Sequence, residues 1–423
     1  MNLIESKRSK STFGLLFALV VVLNAYLIHA QSVVAQEPVD ASETLVLAHF
    51  MPWYVAKPHS AQWGWHWTMA AFDPDKVSDG KPEIASHFHP LIGPYDSGDE
   101  YVLEYQLLTM KLAGIDGVIV DWYGLTDLYD YSTLHQNTQR LVKQCERLKM
   151  KFAVCYEDQT IGALQKAGRI TREQRVIHAT KEIDWLANHW FTSEQYVRDG
   201  ELPVLLSFGF DGLKNNEWTQ CLKKTKASVT YISQHHPRAA AAGAFDWPNP
   251  SDGVAATIDF RKRQAAWSIS IPVALPRFVD IYAQAKVRKS YGRIEDKDGE
   301  TFRETLSRAL ESKRPFVQIA TWNDWGEGTQ IEPSHEFGYR DLETLLKLRS
   351  KVPDREYERR VKDLRLPARL LERRRNDRDE NQKSLLDKIA TLLADGSTSR
   401  ANESLAEVFP IENTQPAGTQ KQK

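Results

Sequence analysis

The sequence predicts an α/β fold, a (β/α)8 TIM-type barrel with a charged helical C-terminal extension. Three observations point there. Eight short apolar runs recur along the chain, and stretches with helical spacing of apolar residues lie between them. Carboxylates and aromatic rings gather where the runs stop. Strands buried on both faces read as continuous apolar runs, as parallel sheets require. Alternation of such runs with helices implies an α/β fold, and eight units favour a closed barrel over an open sheet.

The N-terminus comes first. Lys7, Arg8 and Lys10 precede an apolar stretch over residues 13–28, and Val33-Val34-Ala35 fits a small-residue cleavage site. Residues 1–36 therefore read as a signal peptide or an N-terminal anchor, with the folded part exported to the periplasm or the extracellular space. The stretch is short for a membrane span, so no stable span is expected after signal removal.

The barrel is assigned to residues 37–350. Its runs are Leu45-Val46-Leu47-Ala48-His49-Phe50, then Gly117-Val118-Ile119-Val120-Asp121, then Phe152-Ala153-Val154-Cys155-Tyr156. Pro203-Val204-Leu205-Leu206-Ser207-Phe208 follows, with a weaker Val229-Thr230-Tyr231-Ile232 and then Ala241-Ala242-Gly243-Ala244-Phe245, which is poor in β-formers. Ser268-Ile269-Ser270-Ile271-Pro272-Val273 and Phe316-Val317-Gln318-Ile319-Ala320 complete the set. Helical spacing marks residues 100–113, 134–148 and 173–190. Residues 351–395 are rich in Arg, Glu, Asp, Lys and Leu and read as charged helices, packed on the barrel or extending from it. A charge run is usually a solvated face. Residues 396–423 are polar and read as a disordered tail.

Composition narrows the function. The formal net charge is −1, so no global field draws the chain to nucleic acid. The three cysteines, Cys145, Cys155 and Cys221, show no disulfide or zinc framework, and Cys155 lies in a core run. His87 and His89 are two apart and His235 and His236 adjacent, which is not the spacing that puts two ligands on one helix face. No metal or cofactor is expected. The 12 Trp and 15 Tyr suit a carbohydrate ligand, whose flat C–H faces stack on rings, although core packing also uses such residues.

Barrel chemistry sits at the C-terminal ends of strands. There the sequence places Trp53 and Tyr54, then Asp121, Trp122 and Tyr123, then Glu157 and Asp158, and Asp246 with Trp247. Asp280 follows the seventh run, and Trp322, Asn323, Asp324, Trp325 and Glu327 follow the eighth. Each has an ordinary alternative, a helix cap for an Asp or a core ring for a Trp. The signals at His49 and His66 are slight, since a rim histidine serves structure as readily as substrate. Recurrence of such residues at one rim is harder to dismiss. Asp324 and Glu327 stand three apart between Gly326 and Gly328. Glycosidic cleavage needs one acid to protonate the leaving oxygen and a second carboxylate as base or nucleophile. Two acids held close also separate their pKa values, so that one stays protonated near neutrality. The structural alternative is a loop cap and an ion pair.

Trp322-Asn323-Asp324-Trp325-Gly326-Glu327-Gly328-Thr329-Gln330-Ile331-Glu332-Pro333 resembles the signature of the glycoside hydrolase family 71/99-like proteins. These include endo-α-mannosidases, α-1,3-glucanases and a bacterial polysaccharide-biosynthesis group. Pro94-Tyr95-Asp96-Ser97, the segment from Ala113 to Gly124, and Tyr156-Glu157-Asp158-Gln159-Thr160 fit too, so the resemblance spans about residues 45–350. It implies a (β/α)8 barrel and a metal-independent glycosidase acting on an α-linked, manno- or gluco-configured glycan. It implies Glu327 as general acid and Asp324 as base or nucleophile-assisting group. Glu157, Asp121 and Asp246 would then bind sugar hydroxyls or tune the pair, and Trp53, Tyr54, Trp122, Tyr123, Trp247 and Trp325, with Trp322 and Asn323 beside them, would contact sugar. The endo-α-mannosidases carry a glutamate where Asp324 stands; the α-1,3-glucanases are closer at that position. A water-activating base in an inverting reaction fits as well as an anhydro-sugar route. A glycosyltransferase-like role and a catalytically silent glycan-binding barrel are the rival readings. No Gly-rich phosphate loop for a nucleotide sugar follows any run.

Overall fold

The structure is a computed structural model that describes residues 44–350, 353–376 and 380–408. All of them fall in one unit, Ala41–Lys423. The proposed signal or anchor at 1–36 lies outside the described residues.

The strands are β1 (Leu45–Phe50), β2 (Gly117–Trp122), β3 (Lys151–Tyr156), β4 (Leu202–Ser207), β5 (Thr230–Gln234), β6 (Gly243–Phe245), β7 (Ile269–Ile271), β8 (Val273–Ala274) and β9 (Phe316–Ile319). Each pairs in parallel with its neighbours, in the order β7-β6-β5-β4-β3-β2-β1-β9-β8. Pro272 separates β7 from β8. The first segment pairs with β6 and the second with β9, so this one stretch of chain closes the sheet into a barrel. All eight apolar runs are strands of that barrel.

Side chains alternate along each strand. Leu47, Ile119, Ala153, Cys155, Val204, Leu206, Ile232 and Phe245 fill the barrel interior. Val46, Ala48, Val118, Val120, Phe152, Val154, Leu205 and Val317 pack outward against helices. Gly243 explains the poor β-propensity of β6: a Cβ there would stand 1.8 Å from the Ile269 carbonyl oxygen.

The principal outer helices are α1 (Glu100–Ala113), α2 (Tyr131–Leu148), α3 (Arg175–His189), α4 (Asn215–Lys224), α5 (Ala255–Arg263), α6 (Glu300–Leu310) and α7 (Arg340–Arg349). Asp99 caps α1, accepting from the Tyr101 amide at 2.9 Å, and Gly114 ends it at φ +89°.

The C-terminal helices α8 (Asp354–Asp363), α9 (Leu366–Asn376), α10 (Glu380–Ala394) and α11 (Thr398–Val408) are packed, not free. Leu366, Leu370, Leu386, Ile389, Leu393, Ala401 and Leu405 join the outer core. Arg374 of α9 is buried and holds Glu104 of α1 through Nε and Nη2, both at 3.0 Å. The expectation of disorder from 396 onward is corrected over Thr398–Val408. Polar composition there hides a helical stripe, with Ala401 and Leu405 buried. Residues 409–423 lie outside the described residues. Among the described residues no helix is long and apolar enough to cross a membrane.

Candidate active site

Strand parity decides which rim residues meet. His49, Asp121 and Glu157 follow the inward positions of β1, β2 and β3. They converge on a cavity of about 250 Å³ that also receives Trp53, Tyr54, Tyr123, Trp247, Asp324 and Glu327. Trp122 sits one position beyond Asp121 and so faces out. It is fully buried in the outer core, with its ring centroid 6.1 Å from that of Trp185. Trp322 is likewise fully buried in the outer core. Trp325 and Asn323 are also fully buried and do not line the cavity. The expectation that these four residues touch sugar is therefore corrected. Asp246 is buried at the end of β6 beside the cavity without lining it.

The carboxylate-bearing loop after β9 is pinned from within. The Thr321 amide donates to the Thr329 carbonyl at 3.1 Å, and their hydroxyls meet at 3.0 Å. The Asp324 amide donates to the Thr321 hydroxyl at 2.8 Å, and the Glu327 amide to Asp324 Oδ1 at 3.0 Å. Backbone also holds it from outside: the Val279 amide donates to the Glu327 carbonyl at 2.9 Å. Gly328 has φ +66°, and a Cβ there would lie 2.8 Å from the Val279 carbonyl oxygen.

Buried Trp325 and Asn323 support this loop instead of facing ligand. Tyr54 spans them, donating to the Asn323 carbonyl and accepting from the Trp325 amide, both at 3.0 Å. Asn323 brackets β1, accepting from the Met51 amide at 2.8 Å and donating to its carbonyl at 3.0 Å. Glu332 anchors the far side. It accepts from the Tyr95 hydroxyl at 2.7 Å, Gln106 Nε2 at 2.8 Å and the Trp325 indole at 3.3 Å.

Burial dominates the electrostatics. It raises the Asp324 carboxyl to about 7, against hydrogen bonds from the Glu327 and Gly326 amides that lower it. Burial, and then the charge of Asp324, push Glu327 well above the usual carboxylate range. Tyr282 donates its hydroxyl to Glu327 Oε1 at 3.2 Å. A second acid pair lines the same cavity. Burial raises Asp121 to about 7, and burial followed by the Asp121 charge lifts Glu157 well above its ordinary value. Gln159 Nε2 donates to Glu157 Oε2 at 2.6 Å, and the Tyr123 hydroxyl to Asp121 Oδ2 at 3.3 Å. Burial also raises Asp246 to about 8. No lysine or arginine lines the cavity among the described residues.

His49, Asp121 and Cys155 each present a possible donor atom, all within 4.8 Å of one another. Burial pushes the Cys155 thiol far up and the His49 imidazole down to about 3, so both stay neutral.

Sequence reading missed Tyr282, Gln159, Phe208 and Met51, which all line the cavity. Tyr282 and Gln159 each lie two residues from an acid already singled out, Asp280 and Glu157, and that proximity was the available signal. Phe208 ends the fourth apolar run and Met51 directly follows the first, and neither carries distinguishing chemistry.

Fold and site together define a (β/α)8 barrel whose C-terminal rim gathers four acids into one aromatic-walled cavity. Comparison with known proteins agrees with the strand-end motif. The chain is 20% identical over 307 residues to the glycoprotein endo-alpha-1,2-mannosidase-like protein of Danio rerio, covering 66% of this chain and 65% of that protein. It is 21% identical over 328 residues to the Homo sapiens protein of the same name, covering 67% and 64%. It thus spans slightly under two-thirds of the length of these curated relatives. The fold is shared with the GH99 endo-alpha-mannosidase of Bacteroides thetaiotaomicron, with a TM-score of 0.55 at 17% identity over 78% of this chain and 99% of that one. A solved glycoside hydrolase-like protein matches with a TM-score of 0.51 at 14% identity, over 75% and 97%. A family model described as Glycosyltransferase WbsX matches residues 280–345. The resemblance to family 71/99-like glycoside hydrolases thus extends beyond the motif to most of the barrel.

Proposed function

We propose that this protein is an exported glycosidase that hydrolyses an α-linked, manno- or gluco-configured glycan. The observation that carries the reading is the placement of Asp324 and Glu327 on one pinned loop, both lining one cavity. The names of the relatives favour a mannose-containing substrate.

Glu327 holds its proton, because it is buried beside the charge of Asp324. It acts as general acid on the leaving oxygen. Asp324 ionises first, stabilised by the two loop amides. It serves as base toward water or toward a neighbouring hydroxyl of the sugar. The Tyr282 hydroxyl orients Glu327. Asp121 and Glu157 bind sugar hydroxyls within the same cavity, and Trp53 and Trp247 offer ring faces.

The test is hydrolysis of α-mannan and α-glucan oligosaccharides by wild type, Glu327→Gln and Asp324→Asn. Each variant should lose about 10²- to 10⁴-fold in kcat/KM while retaining the wild-type melting temperature within a few degrees. Turnover that survives both substitutions sinks the reading.

The family-model match over 280–345 favours a second reading, transfer of a sugar instead of its hydrolysis. Product formation that depends on an added activated sugar donor would select it.

A further inference from the structure

Three polar side chains meet at the inner end of the carboxylate cavity, one from each of three adjacent strands. Along β1, β2 and β3, Leu47, Ile119 and Ala153 point into the barrel interior. Two residues further on, the same faces present His49, Asp121 and Cys155. Asp121 and Cys155 are direct partners in the parallel pairing of β2 with β3. A ring nitrogen of His49, a carboxylate oxygen of Asp121 and the sulfur of Cys155 lie within 4.8 Å of one another. Among the described residues no other group of three His, Cys, Asp or Glu side chains is so placed.

These donors are unspent. All three residues are buried, and Cys155 is a free thiol. Neither ring nitrogen of His49 has a hydrogen-bond partner, and neither has Asp121 Oδ1, which stands 3.6 Å from His49 Nε2. Buried polar atoms are nearly always paired, so two such side chains turned toward one another call for an occupant. A water could bridge the histidine and the aspartate, but it gains little from a thiol, which is a weak donor and a weak acceptor. The sulfur therefore sets what the occupant is. Burial keeps the His49 imidazole neutral, the form that ligates a metal.

We propose that His49, Asp121 and Cys155 form a site for a thiophilic divalent cation of the zinc class, and that a cation held there blocks the cavity. A mixed nitrogen, oxygen and sulfur set suits Zn²⁺ or Cd²⁺ and disfavours Mg²⁺ and Ca²⁺, which take oxygen. On binding, the cation displaces the thiol proton to solvent, and carboxylate and thiolate balance its charge. Metal bonds of about 2.0–2.3 Å set the donors roughly 3.3–3.8 Å apart, so the side chains close by about 1 Å. Entry is open, because His49 and Asp121 line the cavity. Glu157, Asp324 and Glu327 line it too, and among the described residues no lysine or arginine does, so its field draws cations inward. Three protein donors leave a fourth position for water. The site stands apart from the glycosidase reading. The block rests on that reading, since Asp121 bound to a cation no longer meets sugar.

The experiment titrates chelator-treated protein with Cd²⁺ and follows the thiolate-to-cadmium charge-transfer band in the ultraviolet, while calorimetry follows Zn²⁺, Mg²⁺ and Ca²⁺. Wild type should bind Cd²⁺ with appearance of the band, should bind Zn²⁺ with release of a proton, and should take up neither Mg²⁺ nor Ca²⁺ at the same concentrations. Cys155→Ala should lose the band and weaken Zn²⁺ by more than about 100-fold, the upper end of what loss of an outer-shell partner costs. The double variant Cys145→Ala, Cys221→Ala, which leaves Cys155 as the single thiol, should keep both. Zn²⁺ should lower kcat/KM on the α-linked glycans over the concentration range in which it binds. Absence of the band in wild type overturns the proposal, as does a band that survives Cys155→Ala or vanishes in the double variant, or equal affinity for Mg²⁺. Zn²⁺ binding that leaves an active enzyme unimpaired overturns the block. The band in a protein that hydrolyses no glycan supports the site and refutes the glycosidase reading instead.

Discussion

At the scale of single residues the site is governed by desolvation. Four carboxyl groups share one small cavity that no lysine or arginine lines among the described residues, and burial holds its two histidines, His49 and His66, neutral. Their proton affinities therefore rise, and the pair on the loop separates because only Asp324 receives backbone amides. The pH dependence follows with a definite sign. In the proposed mechanism activity needs Asp324 ionised, so kcat/KM should fall as pH drops through about 7. It needs Glu327 protonated, so it should fall again at higher pH, giving a bell with a neutral to mildly alkaline optimum. An optimum well below neutrality would refute this assignment. Gly328 offers a second test. Alanine there meets both a positive φ and the Val279 carbonyl oxygen, so Gly328→Ala should cost about 1–3 kcal/mol in chemical denaturation. The carboxylate pair was legible in the sequence because spacing survives without coordinates. Tyr282 was not, because its approach to Glu327 depends on the path of a long loop.

At the scale of elements, alternation on each strand sorted the rim residues. Asp121 and Trp122 are adjacent in sequence, yet one lines the cavity and the other packs beneath the helices. Runs buried on both faces carry no polar alternation, so they reveal that a strand exists without revealing which of its side chains points inward. That is why Trp122 reads as a ligand contact; Trp322, Asn323 and Trp325 lie on the loop after β9, where no alternation separates inward from outward at all. Conversely, β6 looked weak because propensity scales reward bulk, while its place in the barrel demands the absence of a side chain at Gly243. Gly243→Ala should destabilise by about 2–4 kcal/mol, since both the new Cβ and the Ile269 carbonyl it meets are fixed by strand pairing. A melting temperature equal to that of wild type would show that β6 can shift where the structure shows it fixed.

At the scale of the whole molecule, the C-terminal helices are part of the barrel's outer layer. Leu366 and Leu370 pack into the same core as α1, and Arg374 neutralises Glu104, which also receives Arg147 at 2.6 Å. Deleting residues 353–423 would expose that apolar surface and leave Glu104 with one cation in place of two. The shortened chain should partition mainly into the insoluble fraction on expression. Soluble protein with an unchanged melting temperature would mean the helices are dispensable. Charge-rich composition suggested a solvated face, and α9 to α11 carry one beside a buried stripe. The buried stripe was visible only as sparse leucines.

The sequence by itself determined the barrel, its eight strands and the acid pair after the last of them. Each of these depends on short-range pattern: apolar runs, helical spacing, and two acids three residues apart. Tertiary structure decided which aromatics face the cavity, which acids share it, that Tyr282 touches Glu327, and that His49, Asp121 and Cys155 come together. Those facts join residues far apart in the chain. Their positions follow from strand parity, barrel closure at Pro272 and the course of the rim loops, none of which a local pattern encodes.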